Sequence, residues 1–78
     1  MMSEIPDESY TIKDIGKRIT KLRKSKGMSV YQLQMKADVN RTIIKDTEEG
    51  RNRVRIDTLL KIIDGLAVSP AEFFGEFK

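Results

Sequence analysis

Between residues 12 and 22 the apolar side chains fall at Ile12, Ile15, Ile19 and Leu22. This three-four-three spacing lays one narrow stripe along a helix, where a strand would alternate. The stripe predicts a helix that closes at Gly27, since glycine takes the left-handed cap conformation at no steric cost. A two-turn helix follows from the N-cap Ser29 through Lys36, with Val30, Leu33 and Ala37 on its inner side. In the next stretch, Ala37-Asp38-Val39-Asn40, aspartate tolerates a left-handed turn and asparagine is a good N-cap. A third helix is expected from Arg41 to Glu49, ending at Gly50. Residues 51–55, Arg-Asn-Arg-Val-Arg, carry no helical period. Leu59, Leu60, Ile62, Ile63 and Leu66 then give a fourth helix with a broad apolar face, the expected centre of the core. Ser69-Pro70-Ala71-Glu72 reads as a capping box with proline at the first helical position, opening a fifth helix that carries Phe73, Phe74 and Phe77. Residues 1–11 show no period and read as a flexible acidic arm ahead of a domain over 12–78. The predicted fold is all-α, a compact five-helix bundle.

Charge changes the picture more than size does. The 78 residues carry 15 Lys+Arg and 12 Asp+Glu, for a net +3. The distribution is uneven: −3 over residues 1–12, +8 over 13–55 and −2 over 56–78. A basic field in the middle of a small domain is the footprint expected of a nucleic-acid binder. The sequence has neither cysteine nor histidine. Disulfides, zinc fingers and histidine-based catalytic dyads are thereby excluded, and neither an enzyme nor a metal or other cofactor is expected. No apolar run approaches the roughly 18 residues of a membrane span, and the N-terminus lacks the basic-then-apolar order of a signal peptide, so a cytoplasmic protein is expected.

The functional residues are picked out by helical angle. Advancing about 100° per residue from Asn40 puts Ile43, Ile44 and Thr47 on one arc, expected to face inward. Arg41, Thr42, Lys45, Asp46 and Glu49 occupy the opposite arc, which has no apolar member. A two-turn helix, a tight turn and a second helix is the spacing that sets two helices at a steep angle and lets the second project outward. In the first helix Arg23 lies at the edge of the apolar stripe, and Glu48 flanks the inner face of the third. Two opposite charges so placed suggest a partly buried ion pair between these helices.

The stretch SVYQLQMKADVNRTIIKDTEEG resembles the helix-turn-helix of the lambda-repressor-like family, the Cro and CI type also called XRE. IGKRITKLRKSKGMS resembles that family's first helix, and IDTLLKIIDGLAVSPAEFF its fourth and fifth, so the likeness runs over about residues 12–74. Matching offsets include Leu33, Ala37, Val39, Ile44, Glu48 and Gly50. The resemblance implies a five-helix DNA-binding domain, commonly dimeric, with its third helix in the major groove. It also implies a structural Arg–Glu pair at Arg23 and Glu48. The sequence departs from the family pattern at several points. Val30 stands where the family has a phosphate-holding glutamine, Gln34 where it favours alanine, Asp38 where it favours a turn glycine, and Ala67 where a glycine ends the fourth helix. Thr47 replaces an inner branched apolar residue, and Asp46 and Glu49 put negative charge on the face toward DNA.

The expected function is a sequence-specific DNA-binding transcriptional regulator, with repression as the simplest output and double-stranded DNA as partner. Arg41, Thr42, Lys45 and Asp46 are the expected readers of base edges, and Asn40, Arg51, Arg53 and Arg55 the expected holders of phosphate. A homodimer is expected, because one recognition helix meets only about four or five base pairs. Phe77 is the candidate anchor across its two-fold axis, with Phe73 and Phe74 closing the core. The alternative is a protein-interaction module on the same scaffold, antitoxin-like or an adaptor, using the acidic tail or Phe77.

Overall fold

Five helices and no strand make up residues 11–51 and 53–75, the part of the chain described by this computed structural model. Residues 1–10, Asn52 and 76–78 lie outside it, and with them Phe77 and all of the expected acidic arm except Thr11.

Four of the five helices start where a side-chain cap satisfies the first backbone N–H groups. Helix α1 (Ile12–Ser25) opens on a capping box. The Asp14 N–H donates to the Thr11 hydroxyl at 3.1 Å, and the Thr11 N–H donates to the Asp14 carboxylate at 3.1 Å. These bonds, the backbone one first, hold the Asp14 carboxyl below the usual aspartate range. The helix closes at Gly27, whose φ of 65° lets the Met28 N–H reach back to the Arg23 carbonyl at 3.0 Å. Helix α2 (Val30–Ala37) is boxed by Ser29 and Gln32 and ends at Asp38 in the left-handed region, φ 58°. Helix α3 (Arg41–Glu49) is capped by Asn40 and stopped by a left-handed Gly50. Helix α4 (Ile56–Gly65) begins one turn ahead of its first core residue, Leu59, with Arg55 at the N-cap making no side-chain cap. It runs into Ala67, which takes φ 62° where glycine would be unstrained. Helix α5 (Pro70–Gly75) starts from the Ser69–Glu72 box.

The packing follows two close approaches. Helix α1 lies on α3 and α2 on α4. At the first crossing a Cβ on Gly16 would collide with the backbone carbonyl oxygens of Thr47 and Glu48. At the second, a Cβ on Gly65 would stand 2.8 Å from that of Ala37. Between these contacts Ile19, Leu33, Ile44, Ile62, Leu66 and Phe73 are fully buried, each worth roughly 1.5–3 kcal/mol relative to exposure. Phe74 is half-buried and meets Phe73 edge-on, ring centroids 5.0 Å apart. Thr47 sits in this core at 3% exposure, its hydroxyl donating to the Ile43 carbonyl at 2.7 Å, so its polarity is satisfied one turn back.

Two apolar residues are not where their periodicity suggests. Leu60 is 43% exposed, because α4 buries the arc of Leu59, Ile62, Ile63 and Leu66 and leaves the flank with Ile56 to solvent. Ile43, expected to face inward, is 46% exposed. Its arc is the boundary between buried Thr47 and half-buried Asp46, and the core has only Ile44 and Thr47 to receive from α3.

Arg18, one of the cations of α1, has a structural task. Its Nε donates to the Phe73 carbonyl and its Nη2 to the Glu72 carbonyl, both at 3.1 Å, with the guanidinium 5.9 Å above the Phe73 ring. It thereby supplies donors to late carbonyls of α5, which the helix itself leaves unsatisfied, and ties α1 to α5.

Candidate nucleic-acid interface

What fixes α3 determines what it can present. On its inner side Ile44 and Thr47 enter the core, and Glu48 receives a two-pronged contact from Arg23. Arg23 Nε donates to Oε2 of Glu48 at 2.7 Å and Nη2 to Oε1 at 3.1 Å, while Nη1 donates to the Met28 carbonyl at 2.9 Å. The two side chains are 12% and 9% exposed. This geometry is the strong, bidentate form of the pair, and it holds α3 against α1 and the turn before α2 together.

The opposite side of α3 carries the expected base readers. Arg41, Thr42, Lys45 and Glu49 are exposed and Asp46 is half-buried. A shallow recess of about 260 Å³ runs along them from Thr42 and Lys45 to Asp46, Glu49 and Arg51. Asn40 spends its side-chain oxygen on the helix cap, accepting from the Thr42 N–H at 2.7 Å, which leaves its amide hydrogens as the donors available to a phosphate. The positive end of the α3 dipole lies at this same turn and adds to the field of Arg41 and Lys45.

The arginines after α3 differ from one another. Arg51 pairs with Glu49 at 2.7 Å, with side chains 70% and 49% exposed. Arg55 pairs with Asp57 at 3.3 Å, likewise on the surface. Arg53 is exposed with no ion-pair partner among the described residues. Solvent-exposed pairs of this kind are worth about 0–1 kcal/mol, so exchanging Glu49 or Asp57 for a phosphate costs little.

Sequence reasoning missed two features that bear on the site. Nothing local marks Arg18 as the partner of carbonyls 54 and 55 residues away. The Thr11-Ile12-Lys13-Asp14 box, by contrast, is legible as a threonine followed three residues later by an acid.

A helix-turn-helix family model matches residues 19–73. No curated protein matches the chain. Among solved structures it is similar to the restriction-modification controller protein C.Esp1396I, in a tetramer in complex with its natural 35 base-pair operator. The identity is 32%, with 85% of this chain and 87% of that one covered, at a TM-score of 0.81. The same controller bound to a 25 base-pair operator site matches at 31% identity, covering 87% and 90%, with TM-score 0.81. The controller protein C.AhdI from Aeromonas hydrophila matches at 28% identity over 81% of this chain and 96% of that one, with TM-score 0.76.

Proposed function

The chain belongs to the helix-turn-helix family, in its lambda-repressor-like form, and from that premise we propose that α3 is its recognition helix, entering the major groove of operator DNA. The protein is a sequence-specific DNA-binding transcriptional regulator; its family and structural relatives are regulators and not enzymes. In this reading Arg41, Thr42, Lys45 and Asp46 read base edges. Arg41 suits guanine and Asp46 the N4 amine of cytosine. Asn40, Arg51, Arg53 and Arg55 grip the flanking phosphates, and repression follows where the occupied site overlaps a promoter.

The observation that carries this reading is the division of α3. Its inner side is locked by Ile44, Thr47 and the Arg23–Glu48 pair, while its outer side exposes cations and hydrogen-bonding groups and buries nothing of the core. A rigid helix with an exposed polar face is what base readout requires. The protein acts as a homodimer, two copies of α3 meeting half-sites about one helical turn apart. The exposed Ile56 and Leu60, one turn apart on α4, offer the second copy an apolar contact that the expectation for Phe77 did not include. None of the described helices is long and apolar enough to cross a membrane.

The test is a duplex selected from a random pool, titrated at several salt concentrations. Log affinity should fall linearly with log salt, by about 0.9 per phosphate neutralised. Arg41→Ala should relax discrimination at one base pair, by about 1–3 kcal/mol, whereas Arg53→Ala should weaken all duplexes alike and lower the slope by about one. Equal, uniform losses from both would refute the placement of α3. Binding to no duplex at low salt would favour the protein-interaction alternative.

A further inference from the structure

Ile43 is the one large apolar side chain on α3 that faces solvent, and it does not stand alone. It lines a recess of about 190 Å³ with Val54 and Thr58, whose walls are predominantly apolar and whose rim carries Asp46, Arg53 and Arg55. Val54 reaches it from the loop after α3, and Thr58 from the first turn of α4. The recess therefore lies along the seam between the arc assigned to base edges and the loop assigned to phosphates.

Single exposed isoleucines are common and need no explanation. This one is set in an apolar hollow between guanidinium groups, on the helix that the proposed function puts against DNA. The cations on the rim draw a polyanion toward a surface whose exposed walls are mostly apolar. The major groove contains one kind of apolar group, the methyl on C5 of a pyrimidine, present in thymine and in 5-methylcytosine. Of the major-groove groups that distinguish one pyrimidine from another, the substituent on C5 lies nearer its own strand's backbone than the group on C4. A side chain on the seam between base readers and phosphate holders is placed to meet it.

We propose that Ile43, with Val54 in the same recess, receives the 5-methyl group of a pyrimidine at the rim of the major groove and so determines specificity at one base pair of each half-site. The inference rests on the DNA-reading role of α3 and adds to it a position that the polar readers do not cover. Cytosine and uracil lack the methyl and leave the hollow solvated, so they are discriminated against without any hydrogen bond.

Operator duplexes in which each thymine in turn is replaced by deoxyuridine test this directly with the full chain. Wild type should lose about fourfold in affinity at one thymine per half-site, the weight of one buried methyl, and keep its affinity at the others. Ile43→Ala should bind the unsubstituted operator more weakly and show no further loss at that position. Ile43→Val, which keeps a branched apolar side chain, should retain most of the sensitivity. Placing cytosine or 5-methylcytosine at the same position separates the two sources of the methyl: a gain from methylation means that the recess takes either, and no gain means that it takes thymine. Uracil and thymine binding alike at every position, or the same uracil loss in Ile43→Ala as in wild type, would overturn the proposal while leaving DNA binding intact. Failure to bind any duplex would overturn the reading on which it rests.

Discussion

Glu48→Ala removes the acceptor of a bidentate contact and leaves the Arg23 guanidinium, 12% exposed, without its charge partner. Two charge-assisted bonds are lost, at 2.7 and 3.1 Å. The bond to the Met28 carbonyl at 2.9 Å survives and moderates the damage. Breaking a buried pair from one side costs about 3–5 kcal/mol; the residual exposure and the surviving bond put this case at the lower end, about 3 kcal/mol. For a chain of this length total stability is of order 4–12 kcal/mol, so the loss is a large fraction of it. The midpoint of thermal unfolding should fall by roughly 12–24 °C. Urea denaturation followed by circular dichroism gives the free energy, and a change in midpoint without a change in slope locates the effect in the native state. Glu48→Gln should fall between alanine and wild type. Arg23→Met with Glu48→Leu should recover most of the loss, because an apolar pair of similar volume leaves no charge behind. A Glu48→Ala variant that unfolds at the wild-type midpoint would refute the coupling of α1 to α3.

Ala67→Gly relieves a left-handed φ of 62°, and after the greater freedom of the unfolded chain is subtracted the gain should be about 0.5–1 kcal/mol, visible as a higher melting temperature. Gly16→Ala drives a methyl into the Thr47 and Glu48 carbonyls, so it should cost about 2–3 kcal/mol in urea and reduce operator affinity in the folded fraction as well. The Asp14 carboxyl, held low by its bonds from Thr11, contributes stability above its ordinary pKa, lost as pH falls through its folded-state value. Asp14→Asn should therefore flatten the acid limb of the stability curve, and titration of the Asp14 carboxyl by NMR should report a value below that of a free aspartate.

Most helix boundaries were legible because they are written in residues that act locally. Ser29, Asp38, Asn40, Gly50 and the Ser69–Glu72 pair satisfy or release backbone groups within a turn of themselves, so no distant partner is needed to interpret them. Arg23 and Glu48 were legible for a different reason, since each lies at the edge of an apolar stripe and only an opposite charge makes that placement economical. Ile43 and Leu60 were not, because helical angle tells which side a residue faces and not how far around the helix its neighbours reach. The core takes Ile44 and Thr47 from α3 and stops short of Ile43. Arg18 was out of reach of any local rule: its partners are carbonyls on α5, which become its neighbours only once the bundle has closed.

The close approach at Gly16 has a consequence for how such a regulator changes its target. Everything that seats α3 is on one side of it, in Ile44, Thr47, Glu48 and the backbone that Gly16 touches. Positions 41, 42, 45 and 49 contribute nothing to that seating, so exchanging them rewrites the address while the scaffold keeps its stability. Two copies of the gene can drift toward different operators by substitutions there alone. Position 16 has no such liberty. Any side chain at that point shifts α3 as a rigid piece, and every contact along the operator then slips out of register together.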